Sequence, residues 1–177
     1  MPQDESAGSR ILNENLSEDQ QLYSLWRAFS KVRRAIWKAS EKELSRYDIT
    51  PEQAGVLYMV RNVIPNASQS EISRQMLIEH HTISGTVKRM EAKGLIRREV
   101  DAERRNVIRV SLTGKGEEVY RQSVHRRSVR NVFSVLSPEE RRQLANCLEK
   151  MLPQALEELE QYYTSPFSVP HEVPKTE

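Results

Sequence analysis

Between residues 68 and 116 the hydrophobic period changes from that of a helix to that of a strand, and few folds accommodate such a change in so short a stretch. The segment reads SQSEISRQMLIEHHTISGTVKRMEAKGLIRREVDAERRNVIRVSLTGKG. Ser68 followed three residues later by Glu71 forms a capping box, in which each side chain satisfies a backbone amide at a helix start. Ile72 and Met76 then lie four apart on one face. A second helix is predicted over 82–93, where Ile83, Val87 and Met90 make one apolar stripe. His81, Gly85, Lys88 and Arg89 fall largely outside that stripe. Lys93-Gly94 ends the helix: a cation suits the C-terminal dipole, and glycine tolerates the left-handed residue just past the end.

The next stretch has a period of two. Residues 95–100 enter as a strand, 101–106 are polar and charged as a hairpin tip should be, and Ile108, Val110 and Leu112 alternate with Val107, Arg109 and Ser111. Helix, turn, helix and wing is the layout of a winged helix-turn-helix. It predicts a helix in the DNA major groove beside a basic loop. Arg104 and Arg105, at the tip, suit a narrow minor groove, where the potential is most negative. A solvated hairpin with charges for solubility is the plainer alternative, and the position directly after a recognition helix argues against it. Lys88 and Arg89 project from the second helix with Thr82 and Ser84. His80 and His81 stand at its first turn, near phosphate or base edges. Ser68 and Ser70, at the start of the first motif helix, complete the candidate DNA-binding set. Over 68–113 nine basic residues stand against six acidic ones, a local excess that supports contact with phosphate.

At these residues the chain resembles the MarR family of bacterial transcriptional regulators. The matching pieces are Glu71-Ile72-Ser73, Thr82-Ile83-Ser84, the run from Arg89 through Ile96, and the wing ending Val110-Ser111-Leu112-Thr113 with Gly116. The resemblance extends over about 17–163. Two departures stand out. Gly85 occupies a position where many members carry a basic residue. Counting back from Val110 places Asn106 at the position of the family's wing arginine, whereas Arg105 fits if the loop is one residue longer. The resemblance implies a repressor that binds a palindromic operator as a homodimer. It also implies an effector pocket between the dimer helices and the winged domain, often for an aromatic or phenolic molecule.

The flanks are read as long helices. Ser17 with Gln20 is a capping box before a helix to about Arg46, along which Leu22, Leu25, Phe29, Val32 and Ile36 repeat at three and four, with Trp26 and Trp37 alongside. Thr50-Pro51-Glu52-Gln53 starts another helix, and Pro65 breaks the chain before the motif. A further helix is expected from Thr113 to about Leu136. Another restarts at Ser137 and carries Leu144, Leu148, Met151, Leu152, Leu156 and Leu159, with Pro153 expected to kink or break it. These stripes, with Tyr162, hold more apolar surface than a small winged domain covers. At about 25 cal/mol per Å2, leaving it exposed is costly. A homodimer through the terminal helices removes that cost and gives two reading heads with twofold symmetry. The alternative is that the stripes pack within one chain.

The fold class expected is therefore mainly α with a small β-wing: a winged helix-turn-helix domain flanked by long dimerisation helices. The divisions are an N-terminal tail (1–16), a dimerisation helix (17–48), the DNA-binding domain (49–116), C-terminal dimerisation helices (117–163) and a C-terminal tail (164–177). With 177 residues, 29% charged and only six glycines, the chain suits a mostly helical protein able to bury a sizeable core. No run of about 18 apolar residues occurs and the polar N-terminus lacks an apolar signal core. With a single Cys147 a cytoplasmic setting is expected. Cys147 lies within the C-terminal apolar stripe, which favours a buried, inert thiol over a redox sensor.

Trp26, Arg33, Trp37, Tyr47 and Tyr58 form an aromatic set interleaved with cations and are the candidate effector lining for a small aromatic or anionic molecule. Simple core packing is the competing reading. Glu79-His80-His81 lacks further ligands at metal spacing, so no metal and no cofactor is expected. No Ser/His/Asp set, paired carboxylate or phosphate loop appears, and no catalytic residue is assigned. The function expected is a sequence-specific, ligand-responsive DNA-binding regulator rather than an enzyme. The alternative is a helical interaction module whose winged domain binds protein instead of DNA.

Overall fold

The computed structural model describes residues 15–162; all but the last two residues of the predicted N-terminal tail (1–16) and the whole predicted C-terminal tail (164–177) lie outside the described residues, as do the side chains of 160–162. Among the described residues the elements follow each other in the order α1 (Glu18–Leu44), a 3-10 turn (Ser45–Tyr47), α2 (Pro51–Tyr58), a π-helical turn (Met59–Val63), α3 (Gln69–Met76), α4 (His80–Ala92), β1 (Ile96–Val100), β2 (Ile108–Leu112), α5 (Gly114–Ser123), α6 (Arg127–Phe133) and α7 (Pro138–Tyr162). The chain divides into two compact units, one ending at Val132 and one beginning at Phe133. The architecture is mainly helical with a two-stranded wing, as expected.

Local chemistry sets the helix starts in the first unit. Ser17, Thr50 and Ser68 each form the full reciprocal box, with Gln20, Gln53 and Glu71 respectively. Thr50 is followed by Pro51 at the first helical position, where the missing N–H costs nothing. α3 ends at Leu77, which turns left-handed (φ 51°) and so redirects the chain into α4 within three residues. α4 begins at His80, two residues before the predicted start, on Glu79, which makes no side-chain cap.

The core of this unit lies where α2, α3, α4 and the wing base meet the last turns of α1. Val56 and Leu57, Ile72, Ile83, Val87 and Met90, Leu95 and Ile96, Val110 and Leu44 are all buried there. The motif's apolar stripe therefore faces inward as read from the sequence. The hairpin is antiparallel with Ile96 opposite Leu112 and Val100 opposite Ile108. It does not stand alone: Val110 N–H donates to Ala67 O at 2.9 Å, and Ser68 bridges Arg109, so the residue that caps α3 is also stitched to the wing. At the wing's exit the Thr113 hydroxyl donates to Gly94 O (2.6 Å) and accepts from Gly116 N–H (3.1 Å). Gly116 is required sterically, because a Cβ there would sit 1.9 Å from Leu95 O.

The helices after the wing also differ from the sequence reading. The helix expected over 113–136 is two helices, because α5 stops at Ser123 and α6 begins at Arg127. The cause is remote in sequence: the Glu43 carboxylate on α1 accepts from both Arg127 N–H and Ser128 N–H at 2.8 Å and caps the new helix. These bonds hold the Glu43 carboxyl below its usual range, Ser128 contributing most. In the second unit, α7 runs on through Pro153 without a break. Its start is a Ser137–Glu140 box, with reciprocal bonds of 2.7 and 3.2 Å.

The long helices carry their apolar stripes on the outside. On α1 only Ser40 and Leu44 are buried, while Leu22, Trp26 and Val32 are 58, 60 and 54% exposed. On α7, Leu148, Met151, Leu152 and Leu159 are exposed. Cys147, expected to be buried, is exposed too. Among the described residues no helix is long and apolar enough to cross a membrane.

Candidate nucleic-acid interface

α4 presents its polar residues outward because its apolar ones are locked in the core. Ile83, Thr86, Val87 and Met90 are buried, which leaves His80, His81, Thr82, Lys88 and Arg89 exposed and Ser84 half-buried on the remaining surface. Arg89 folds back on its own helix, Nη2 donating to Thr86 Oγ1 at 3.0 Å, and Gly85 lies beneath its guanidinium. Lys88 makes no ion pair among the described residues. Ser70, in the first turn of α3, is exposed. Ser68 stands apart from this set: it is buried, its hydroxyl accepts from Glu71 N–H (3.2 Å) and its amide donates to Glu71 Oε2 (2.6 Å). Its side chain is spent on the cap and fixes the α3 terminus.

The wing tip is a turn organised by Asp101. One carboxylate oxygen accepts from the amides of Glu103 (3.0 Å) and Arg104 (2.9 Å); the other accepts from Arg109 Nε at 2.6 Å. Val107 N–H returns to Arg104 O and Asp101 N–H to Val107 O, which closes the loop. Arg109, foremost, and the two amides hold the Asp101 carboxyl down at about 2, well below the usual 3.8. Arg109 Nη1 also reaches Glu71 Oε2 at 3.1 Å. Burial works to raise the Glu71 carboxyl, but the Ser68 amide and hydroxyl together with Arg109 outweigh it and leave it lowered. The Arg109 guanidinium, between two carboxylates, is raised above its ordinary value, chiefly by its bond to Asp101.

This triad changes the roles read from the sequence. In the structure Asp101 is committed to Arg109, and Arg104 and Arg105 are exposed with no ion pair among the described residues. Two uncompensated cations thus stand at the tip. Arg109, one of the nine basic residues of 68–113, is a strut that ties the wing to the first motif helix. The signal was present: Asp101 and Arg109 flank the hairpin, and its register brings residues 99–101 against 107–109.

The candidate effector set is not gathered in the same way. Trp26, Arg33 and Trp37 share one face of α1 and all are exposed; Tyr23 stacks on Trp26 with ring centroids 5.8 Å apart. Tyr58, at the end of α2, is also exposed, and only Tyr47 packs against the core. A core-filling role therefore fits Tyr47 alone. Among the described residues no group of three metal-ligating side chains occurs, and Glu79, His80 and His81 do not form one.

The fold and this surface define a winged helix-turn-helix protein. Residues 47–105 match the sequence model of the MarR family, and over that stretch the chain is similar to it. It is 25% identical over 141 residues to the uncharacterized HTH-type transcriptional regulator YkoM of Bacillus subtilis (strain 168), covering 78% of this chain and 91% of that protein. Among solved structures it is similar to the S. aureus MepR–DNA complex (27% identity, TM-score 0.66, 72% of this chain and 96% of that one). It is similar also to the transcriptional regulator SlyA (28% identity, TM-score 0.70, 78% and 98%).

Proposed function

We propose that this regulator binds a palindromic operator as a homodimer and acts as a ligand-responsive repressor, with α4 in the major groove and the wing tip over the minor groove. The observation that carries the reading is the division of α4 into a buried apolar stripe and an exposed polar face, next to a tip holding two unpaired arginines. Thr82, Ser84 and Lys88 read base edges or adjacent phosphates, with His80 and His81 at the helix N-terminus and Ser70 and Arg89 at the flanks. Arg104 and Arg105 enter the narrow, negative minor groove. The DNA held by the similar S. aureus MepR supports this assignment. The exposed stripes on α1 and α7 support the dimer, since a second copy is a surface of the right chemistry to cover them. Residues 17–48 and 117–163 are then the dimerisation elements, and Trp26, Arg33 and Trp37 lie where a dimer-dependent effector pocket would form.

The test is binding to a mapped operator. Lys88→Ala and Thr82→Ala should each weaken binding to it by about 1–3 kcal/mol relative to non-specific duplex. Parent-like discrimination in both variants would remove α4 as the reader. Binding that is insensitive to salt would favour a protein partner for the winged domain.

A further inference from the structure

Outside the motif, positive charge gathers on the middle of α1. Residues 27–42 hold six basic side chains, Arg27, Lys31, Arg33, Arg34, Lys38 and Lys42, against one acid, Glu41. That local excess is larger than the net +2 of the whole chain, and larger than the excess over the DNA-binding motif in a far shorter stretch. Five of the six, Arg27, Lys31, Arg34, Lys38 and Lys42, recur at intervals of three and four and so share one face of the helix. At a rise of about 1.5 Å per residue they form a ridge about 22 Å long. All five are exposed. None makes an ion pair among the described residues; Arg27 has a ring contact, its guanidinium carbon lying 6.0 Å from the centre of Tyr23.

The rest of α1 faces elsewhere. The apolar stripe of Leu22, Leu25, Phe29, Val32 and Ile36 lies about half a turn round the helix from the ridge. Ser40 and Leu44, the residues that α1 buries in the core, stand on that apolar side. The ridge is therefore turned away both from the chain's own core and from the seam proposed for the dimer. Like charges at the spacing of helical neighbours repel and disfavour the helix that carries them, a repulsion that an anionic partner would relieve.

We propose that the α1 ridge is a second nucleic-acid surface, separate from α4 and the wing, that holds duplex DNA by its phosphates without reading sequence. A duplex carries one negative charge per about 1.7 Å of its axis, dense enough to meet every cation of the ridge. No large apolar side chain stands among these cations, so the ridge lacks the apolar and aromatic centre on which a lasting protein interface depends. A surface that is polar and positive throughout is what DNA takes. A bilayer would take α1 by its apolar face and leave the ridge in water. Occupancy of the ridge does not depend on the operator reading proposed above.

The test saturates the full 177-residue chain with unlabelled operator duplex and then adds a short fluorescent duplex of unrelated sequence. Its anisotropy should rise to saturation, with an affinity that falls steeply in salt. K31Q/R34Q/K38Q breaks no side-chain bond among the described residues. It should bind the second duplex at least tenfold more weakly and lower the salt slope by about 2–3, while keeping the parent's thermal midpoint and its operator affinity within twofold. K31R/K38R, which keeps the charge, should bind as the parent does. No second duplex on the saturated parent, or parent-like binding by K31Q/R34Q/K38Q, overturns the assignment. Poly-L-glutamate displacing the duplex at equal charge concentration would give the ridge to an acidic protein instead, and tighter binding to phosphatidylserine vesicles would give it to a membrane; either result overturns the assignment. A chain that binds no operator would sink the reading of α4 and still leave the ridge decidable. T82A/K88A/R104Q/R105Q, without the motif's contacts, should hold the unrelated duplex, and adding K31Q/R34Q/K38Q to it should weaken that binding at least tenfold; equal binding by the two overturns the ridge.

Discussion

Arg109 and the tip arginines carry the same charge and answer to different physics. Arg109 is compensated by Asp101 and Glu71; Arg104 and Arg105 are not. Removing both tip arginines should lower the slope of log affinity against log salt by about 1–2, since each phosphate neutralised contributes roughly 0.9. Arg109→Ala should weaken duplex binding with the slope almost unchanged, because it disorders the wing instead of losing a phosphate contact. Equal slopes for parent and the double tip variant would contradict the first assignment, and a slope loss in Arg109→Ala the second. Asp101 gives a pH signature. Its folded value of about 2 lies below the ordinary 3.8, so its contribution to stability is complete above roughly pH 5 and is lost as pH falls toward 2. Acid unfolding of Asp101→Asn, followed by circular dichroism, should therefore be shallower than the parent's over that window. An identical acid limb would mean that the Asp101–Arg109 bond does not hold in solution. At this scale the sequence showed which residues are charged and exposed. It hid which cations are already paired, because that depends on hairpin register and on a helix cap 38 residues away.

The elements divide by how local their causes are. Three helix starts in the first unit were legible because a capping box needs only four consecutive residues, and all three boxes form. The break between α5 and α6 was not legible, because its cap is Glu43, 84 residues before Arg127. Pro153 is read from the sequence as kinking or breaking the last helix; α7 continues through it without a break. Gly116 was legible only as part of a resemblance, and the structure supplies the reason: Leu95 O occupies the space of its Cβ. Gly116→Ala should destabilise the chain by about 1–3 kcal/mol through forced displacement of the wing exit, read as a lower urea midpoint. A parent-like midpoint would show that α5 can move without cost.

For the whole molecule, the stripes exposed on α1 and α7 among the described residues are what the proposed dimer would cover. The effector set was the least legible part for the same reason: three of its five residues lie on the uncovered face of α1, so whatever pocket they line depends on assembly and not on local pattern. Leu152→Asp would place a charge in the proposed dimer seam at a cost of several kcal/mol. Sedimentation should then show monomer where the parent shows dimer; a monomeric parent at micromolar concentration would contradict the assembly. The most direct measurement of the central claim joins assembly to recognition: selection of bound duplexes from a random pool by the intact protein. The account predicts an inverted repeat with half-site centres about 10–10.5 base pairs, or a multiple of that, apart, with Lys88→Ala losing the enrichment. Enrichment of a single unrepeated site, or none, would contradict it.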